Sequence, residues 1–146
     1  MLAELEQEFL AVIEASALRP RLKTADVAPP VINADVVKKI TTAAPAVYVA
    51  TRGLTANGHQ ASITIDVLCL ARNARGHVES RHGDGATIGL YEIVDALLAL
   101  TGPGSTHGFS ATDARMDRDP AWGEAGLAAA VMTITVKETI PAAIDV

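Results

Sequence analysis

In Gly83-Asp84-Gly85-Ala86-Thr87-Ile88-Gly89, glycine spacing could do chemistry. A glycine-rich turn opening a helix can cradle phosphate on its backbone N–H groups. Here the spacing is not GxGxxG, the Lys-Ser/Thr of a P-loop is missing, and a polar segment precedes it instead of a strand. Asp84 would also repel phosphate. The stretch reads as a turn in which glycine supplies positive φ and Asp84 caps the next helix. The four histidines are His59, His77, His82 and His107. His77 and His82 share a segment with Glu79 and Asp84, but no helix or strand is expected to fix their spacing as a metal site requires. Ser105 and His107 lie near Asp113. Gly104-Ser105-Thr106-His107-Gly108 follows a helix, whereas a nucleophile elbow joins a strand to a helix. The single cysteine, Cys69, falls in a strand-like run, Ile63-Thr64-Ile65-Asp66-Val67-Leu68-Cys69-Leu70, and reads as a buried core thiol. No catalytic residue, cofactor site or metal site is therefore expected, and the chain is read as a non-enzyme.

Two features suit contact better than catalysis. Arg72, Arg75 and Arg81, with His82 beside them, concentrate positive charge in an otherwise acidic chain of net charge −5. They read either as a solvated loop or as an arm that pairs with acids on a neighbouring subunit or protein. Trp122, the only tryptophan, either covers a core edge or anchors an interface.

Composition bounds what can position these residues. The 146 residues suit one domain, 1–146, able to bury roughly 70% of its unfolded surface. Apolar residues make up 49% and charged ones 20%, the balance of a folded chain, while aromatics at 3% leave the core to Ala, Val, Ile and Leu. The acidic balance disfavours tracking a phosphate backbone, so no sequence-specific nucleic-acid partner is expected. One cysteine excludes an internal disulfide and suits a reducing cytoplasm. Glu4, Glu6 and Glu8 stand where a basic leader would lie, and no apolar run approaches a membrane span.

Leu2, Leu5, Phe9, Val12 and Ile13 recur at helical spacing, which predicts a helix over 1–18 ended by Arg19-Pro20. Residues 19–44, broken by Pro29-Pro30, read as an extended connector. A β-rich strand over 46–50, a turn over 52–58 marked by Asn57-Gly58, and an alternating strand over 60–71 suggest an antiparallel hairpin with a loop longer than two residues. Residues 72–85 read as a loop. A helix over 86–100 is expected to bury Ile88, Tyr91, Val94, Leu97 and Leu98, and Thr101-Gly102-Pro103-Gly104 ends it. A strand over 109–118, a loop over 118–126 and a strand over 127–138 follow, and Pro141 opens a short tail. The order α-β-β-α-β-β predicts an α+β fold, a mainly antiparallel sheet of about four strands with two helices packed on one face.

This ordered set of features resembles the small Mu-like prophage proteins that act as tail terminators in contractile-tailed phages. The resemblance is carried by the N-terminal amphipathic helix, Pro45-Ala46-Val47-Tyr48-Val49 leading to Arg52-Gly53, and the strand ending Ala71-Arg72-Asn73. It continues through Gly85-Ala86-Thr87-Ile88-Gly89-Leu90-Tyr91, Leu97-Leu98-Ala99-Leu100-Thr101-Gly102 and the Thr/Val-alternating last strand. It spans roughly residues 1–140, and residues 23–40 add nothing to it. What it implies is a virion structural protein of the tail or neck, present in the host cytoplasm during assembly. Such a protein forms a hexameric ring that stops tube polymerisation and meets tail tube, sheath and head-tail connector proteins. Arg72, Arg75, Arg81, His82, Trp122 and the tail after Pro141 are the expected contact residues. Another neck or tube component, such as a head-completion protein, and an enzyme of unrecognised type are the competing expectations.

Overall fold

The computed structural model describes residues 1–29, 33–102 and 108–140. The chain is α+β, with a mixed sheet of five strands in the order β1-β2-β3-β5-β4. The strands are β1 (Thr24–Val27), β2 (Ala46–Asn57), β3 (Gln60–Arg72), β4 (Ser110–Asp117) and β5 (Leu127–Thr139). The helices are α1 (Leu2–Glu14), α2 (Ala34–Ala43), α3 (His77–His82), α4 (Leu90–Leu100) and α5 (Pro120–Glu124).

β3 is the spine. Its odd-numbered residues Ile63, Ile65, Val67 and Cys69 are fully buried, as the alternation predicted. With Val47, Val49, Met132 and Ile134 they form one face of the sheet, which α1 covers through Leu5, Phe9 and Ile13 and α4 through Leu90, Ile93 and Leu97. The expected pair of helices on one face is thus present. The other face is covered at one end only, by Val37 and Ile40 of α2 and Trp122 of α5 over Ala46, Tyr48, Leu70 and Ala129.

Several expectations are corrected. The sheet has five strands and is mixed, because residues 19–44 are not a plain connector. They hold a 3₁₀ turn, Arg19–Arg21, then β1, which lies parallel to β2 with Thr24 opposite Ala46, and then α2. A parallel neighbour needs a crossover, and α2 supplies it. Asn33 starts α2 by accepting the Val36 N–H at 3.0 Å, a cap that its residue type permits. α1 stops at Glu14, before the proline, where the Ser16 hydroxyl donates to the Ile13 carbonyl at 2.6 Å. The strand over 46–50 runs on through a bulge at Thr51/Gly53 to Asn57, which pairs with Gln60. The loop is therefore only Gly58-His59, with Gly58 at φ 63°, as a II′ hairpin turn requires. α4 begins at Leu90 instead of residue 86; Ile88, Val94 and Leu97 are buried as expected, Leu90 and Ile93 join them, and Tyr91 and Leu98 lie on the surface.

Candidate functional site

The basic segment is ordered by its own polar side chains. It leaves β3 at Arg72, opposite Leu127. Asn73 ties it down three ways: its N–H donates to the Ser80 hydroxyl (3.0 Å), its Nδ2 to Asp84 Oδ2 (3.0 Å), and its Oδ1 accepts the Arg75 N–H (2.9 Å). The expected loop over 72–85 accordingly contains α3. Gly76 and Gly83, at φ 136° and 83°, bound that helix. Arg72, Arg75, Arg81 and His82 are all exposed, and the His82 ring lies 5.3 Å from that of Tyr91.

Asp84 does not cap α4. Its Oδ1 accepts the N–H groups of Ala86 (3.0 Å) and Thr87 (2.8 Å), closing a turn before the helix. Glu92 serves α4 itself, accepting the Gly89 N–H at 3.2 Å while Arg21 Nη1 holds its other oxygen at 3.1 Å. The Asn73 amide, then the Thr87 and Ala86 N–H groups and the Arg75 charge, hold the Asp84 carboxyl below its ordinary value. A depressed folded-state value means that the carboxylate's contribution is complete above the unfolded value of about 4 and fades as pH falls through the folded one. Protection of the Ala86 and Thr87 amides, relative to their intrinsic exchange rates, should therefore be full at neutral pH and be lost selectively as pH falls through the lowered Asp84 value. Protection that stays unchanged as the carboxyl is protonated would contradict this.

Trp122 covers a core edge. It is 6% exposed, packs in the second core cluster, and donates its indole N–H to Asp117 Oδ2 at 2.9 Å. The expected loop over 118–126 is the short helix α5, with Asp119 accepting the Ala121 N–H at 2.9 Å.

Beside Trp122, where the second sheet face is uncovered, lies a groove of about 670 Å³ between α2 and α5. Tyr48, Ala50, Leu68 and Val131 floor it, and Asp66, Asp117, Asp119 and Glu124 line its rim with Lys38. Burial, then the charge of Asp26, raises the Tyr48 hydroxyl above its ordinary value, so it stays neutral. Arg52 clamps Asp66 through both Nε and Nη2 and reaches Thr133 Oγ1 at 3.1 Å. A smaller cleft of about 350 Å³ lies between α3 and α5, touching Arg81, Tyr91, Asp117 and Trp122.

The chemistry candidates do not converge. His59 sits at the hairpin tip, while His77 and His82 sit beyond the far end of β3, about 40 Å along the strand. Among the described residues no group of three or more His, Cys, Asp or Glu could hold a metal ion. Ser105, His107 and the tail from Pro141 lie outside the described residues. Burial pushes the Cys69 thiol up to about 12, so it is not a nucleophile while the chain is folded. Among the described residues no helix is long and apolar enough to cross a membrane.

Fold and surface define an α+β protein with one mixed sheet, whose polar side chains close turns, cap helices and rim a groove. The chain belongs to the family described as Bacteriophage Mu, Gp37, whose model matches residues 1–114, from α1 into β4. It is thus a Mu-like phage protein, in line with the resemblance carried by its sequence. No curated protein matches the chain.

Proposed function

We propose that this is a structural protein of the phage tail, a terminator that caps the tail tube as a ring of about six copies. On this reading it stops polymerisation of tube and sheath and offers the surface for head-tail joining, in the neck of the virion. It assembles in the host cytoplasm. Membership of the Mu Gp37 family over residues 1–114 carries the proposal. The surface supports it, because a ring needs two different patches on each subunit that meet head to tail. The exposed arginines of the α3 segment and the acid-rimmed groove are two such patches. No catalytic role is proposed.

The test is the mass of the purified protein by light scattering, alone and with assembled tail tubes, with electron microscopy of the tube ends. A closed ring of about six copies, free or at tube ends only, is expected. A strict monomer that ignores tubes would overturn the proposal. Incorporation along the tube would assign the chain instead to the tube subunits.

A further inference from the structure

Val78, on α3, is the most exposed large apolar side chain among the described residues, at 56%. It stands between Arg75 and Arg81, both exposed, with Arg72 at the end of the adjoining strand. A lone surface valine needs no explanation. An apolar knob flanked by guanidinium groups becomes informative when the same chain carries its complement. The groove between α2 and α5 is that complement. Its floor is apolar, and its rim sets Asp117, Asp119 and Glu124 against one ammonium, Lys38, while Arg52 neutralises Asp66.

Arg81 borders α5 across the smaller cleft, but Val78 and Arg75 line neither that cleft nor the groove between α2 and α5. α3 packs chiefly on α4, and α4 covers the first face of the sheet. The groove opens on the second face. We infer that the α3 segment of one copy docks in the α2/α5 groove of the next, with Val78 over Leu68 and Val131 and the arginines on the acidic rim. This rests on the ring reading above and names its subunit contact. Two unlike patches give a heterologous contact, which generates rings where the rotation closes. Burial of the knob supplies affinity, and the charges fix register and make association fall with salt.

The experiment compares the assembly of wild type, Val78→Asp, Arg81→Glu, Glu124→Arg and the double variant R81E/E124R by light scattering over a concentration series, with and without tail tubes. These three side chains are exposed or half-buried at most, and thermal unfolding checks that each variant folds. Each single variant should need at least about tenfold more protein for half-assembly, and the double variant should recover most of that loss. A second measurement is independent of charge. Chains carrying Val78→Cys are mixed with chains carrying Ala121→Cys, on the groove wall, and treated with a short bismaleimide. A dimer band that needs both chains is expected, and buried Cys69 stays silent. Rings that assemble normally in every variant, with no mixed dimer, would overturn the docking contact and leave the ring reading standing. A wild-type chain that never oligomerises, even on tubes, would overturn both.

Discussion

Replacing Phe9 with alanine is expected to lower the unfolding free energy by about 3–5 kcal/mol, the largest single-residue loss in the α1 interface. Phe9 is completely buried and is one of only two phenylalanines in the chain. It meets the other, Phe109, edge to face, with ring centroids 5.0 Å apart and planes at 73°. Such a pair contributes about 0.5–1.5 kcal/mol beyond the area that it buries. The contact joins α1 to the segment that enters β4, two places far apart in sequence. A core of small aliphatic residues has little with which to refill the space, so a cavity should remain. Domains of this kind are stable by only about 5–15 kcal/mol, so the variant should sit close to unfolding at room temperature. Urea denaturation checks this through a lower midpoint with an unchanged slope. A loss below about 1 kcal/mol would mean that α1 does not dock through Phe9.

Gly89→Ala is the second large effect, and it acts on the surface proposed for docking. A methyl group at residue 89 would fall on the backbone nitrogen of Gly83, 2.5 Å from the carbonyl carbon of His82 and 2.7 Å from the Arg81 oxygen. All three are main-chain atoms, so no side-chain rotation relieves the clash. The end of α3 must move away from the start of α4, at a cost at or above the usual 1–3 kcal/mol of overpacking. Exchange protection at the Ser80 and Gly83 amides, which donate to Gly76 and Glu79 carbonyls at 3.0 and 2.8 Å, should fall first. Ring assembly should weaken with it, because Arg81 and Val78 lose their fixed positions. Gly123→Ala is the control, since nothing lies within 4 Å of its added methyl. Equal stability of the two variants would show that the α3–α4 junction yields more easily than its geometry implies.

What could be read from the sequence follows physical scale. The β3 alternation, the Asn57-Gly58 turn, the existence of α4 and the last strand were legible, because each signal is long or locally determined. The hairpin register was not. Asn57-Gly58 marks a turn, but whether Asn57 lies in the loop or pairs with Gln60 depends on the whole ladder. β1 has only four residues, and its place beside β2 is a tertiary fact supplied by the α2 crossover. α3 has six, too few for local propensity to sustain, and forms because Asn73, Ser80 and Asp84 brace it. Of the stripe expected for α4, Ile88, Val94 and Leu97 are buried but Tyr91 and Leu98 are not, because the helix is apolar around much of its circumference and two stripes fit until its start is known. At the candidate site, the arginine cluster was legible as charge but not as ordered structure. Trp122 was legible as an alternative between core and interface, and its burial beside α2 places it at a core edge that also lines the groove. The groove left no signal, since Tyr48, Leu68, Val131 and Trp122 are scattered along the chain and meet only in the folded sheet.

The position of β5 has a consequence for biosynthesis. It is the last of the described strands to be translated, yet it sits inside the sheet, pairing with β3 over Gln60–Arg72 on one side and with β4 on the other. On a ribosome adding about 5–20 residues per second, β1, β2 and β3 emerge early and wait several seconds for it. Through that interval β3 offers an unpaired edge, and Ile63, Ile65 and Val67 lack their partners Val136, Ile134 and Met132. The nascent chain is therefore most prone to pair wrongly, or to attract a chaperone, before β5 emerges. Among the described strands β4 has no neighbour other than β5, so one late event completes two ladders at once. A subunit ready to meet a neighbour exists only once β5 has joined the sheet, which separates the timing of folding from that of assembly.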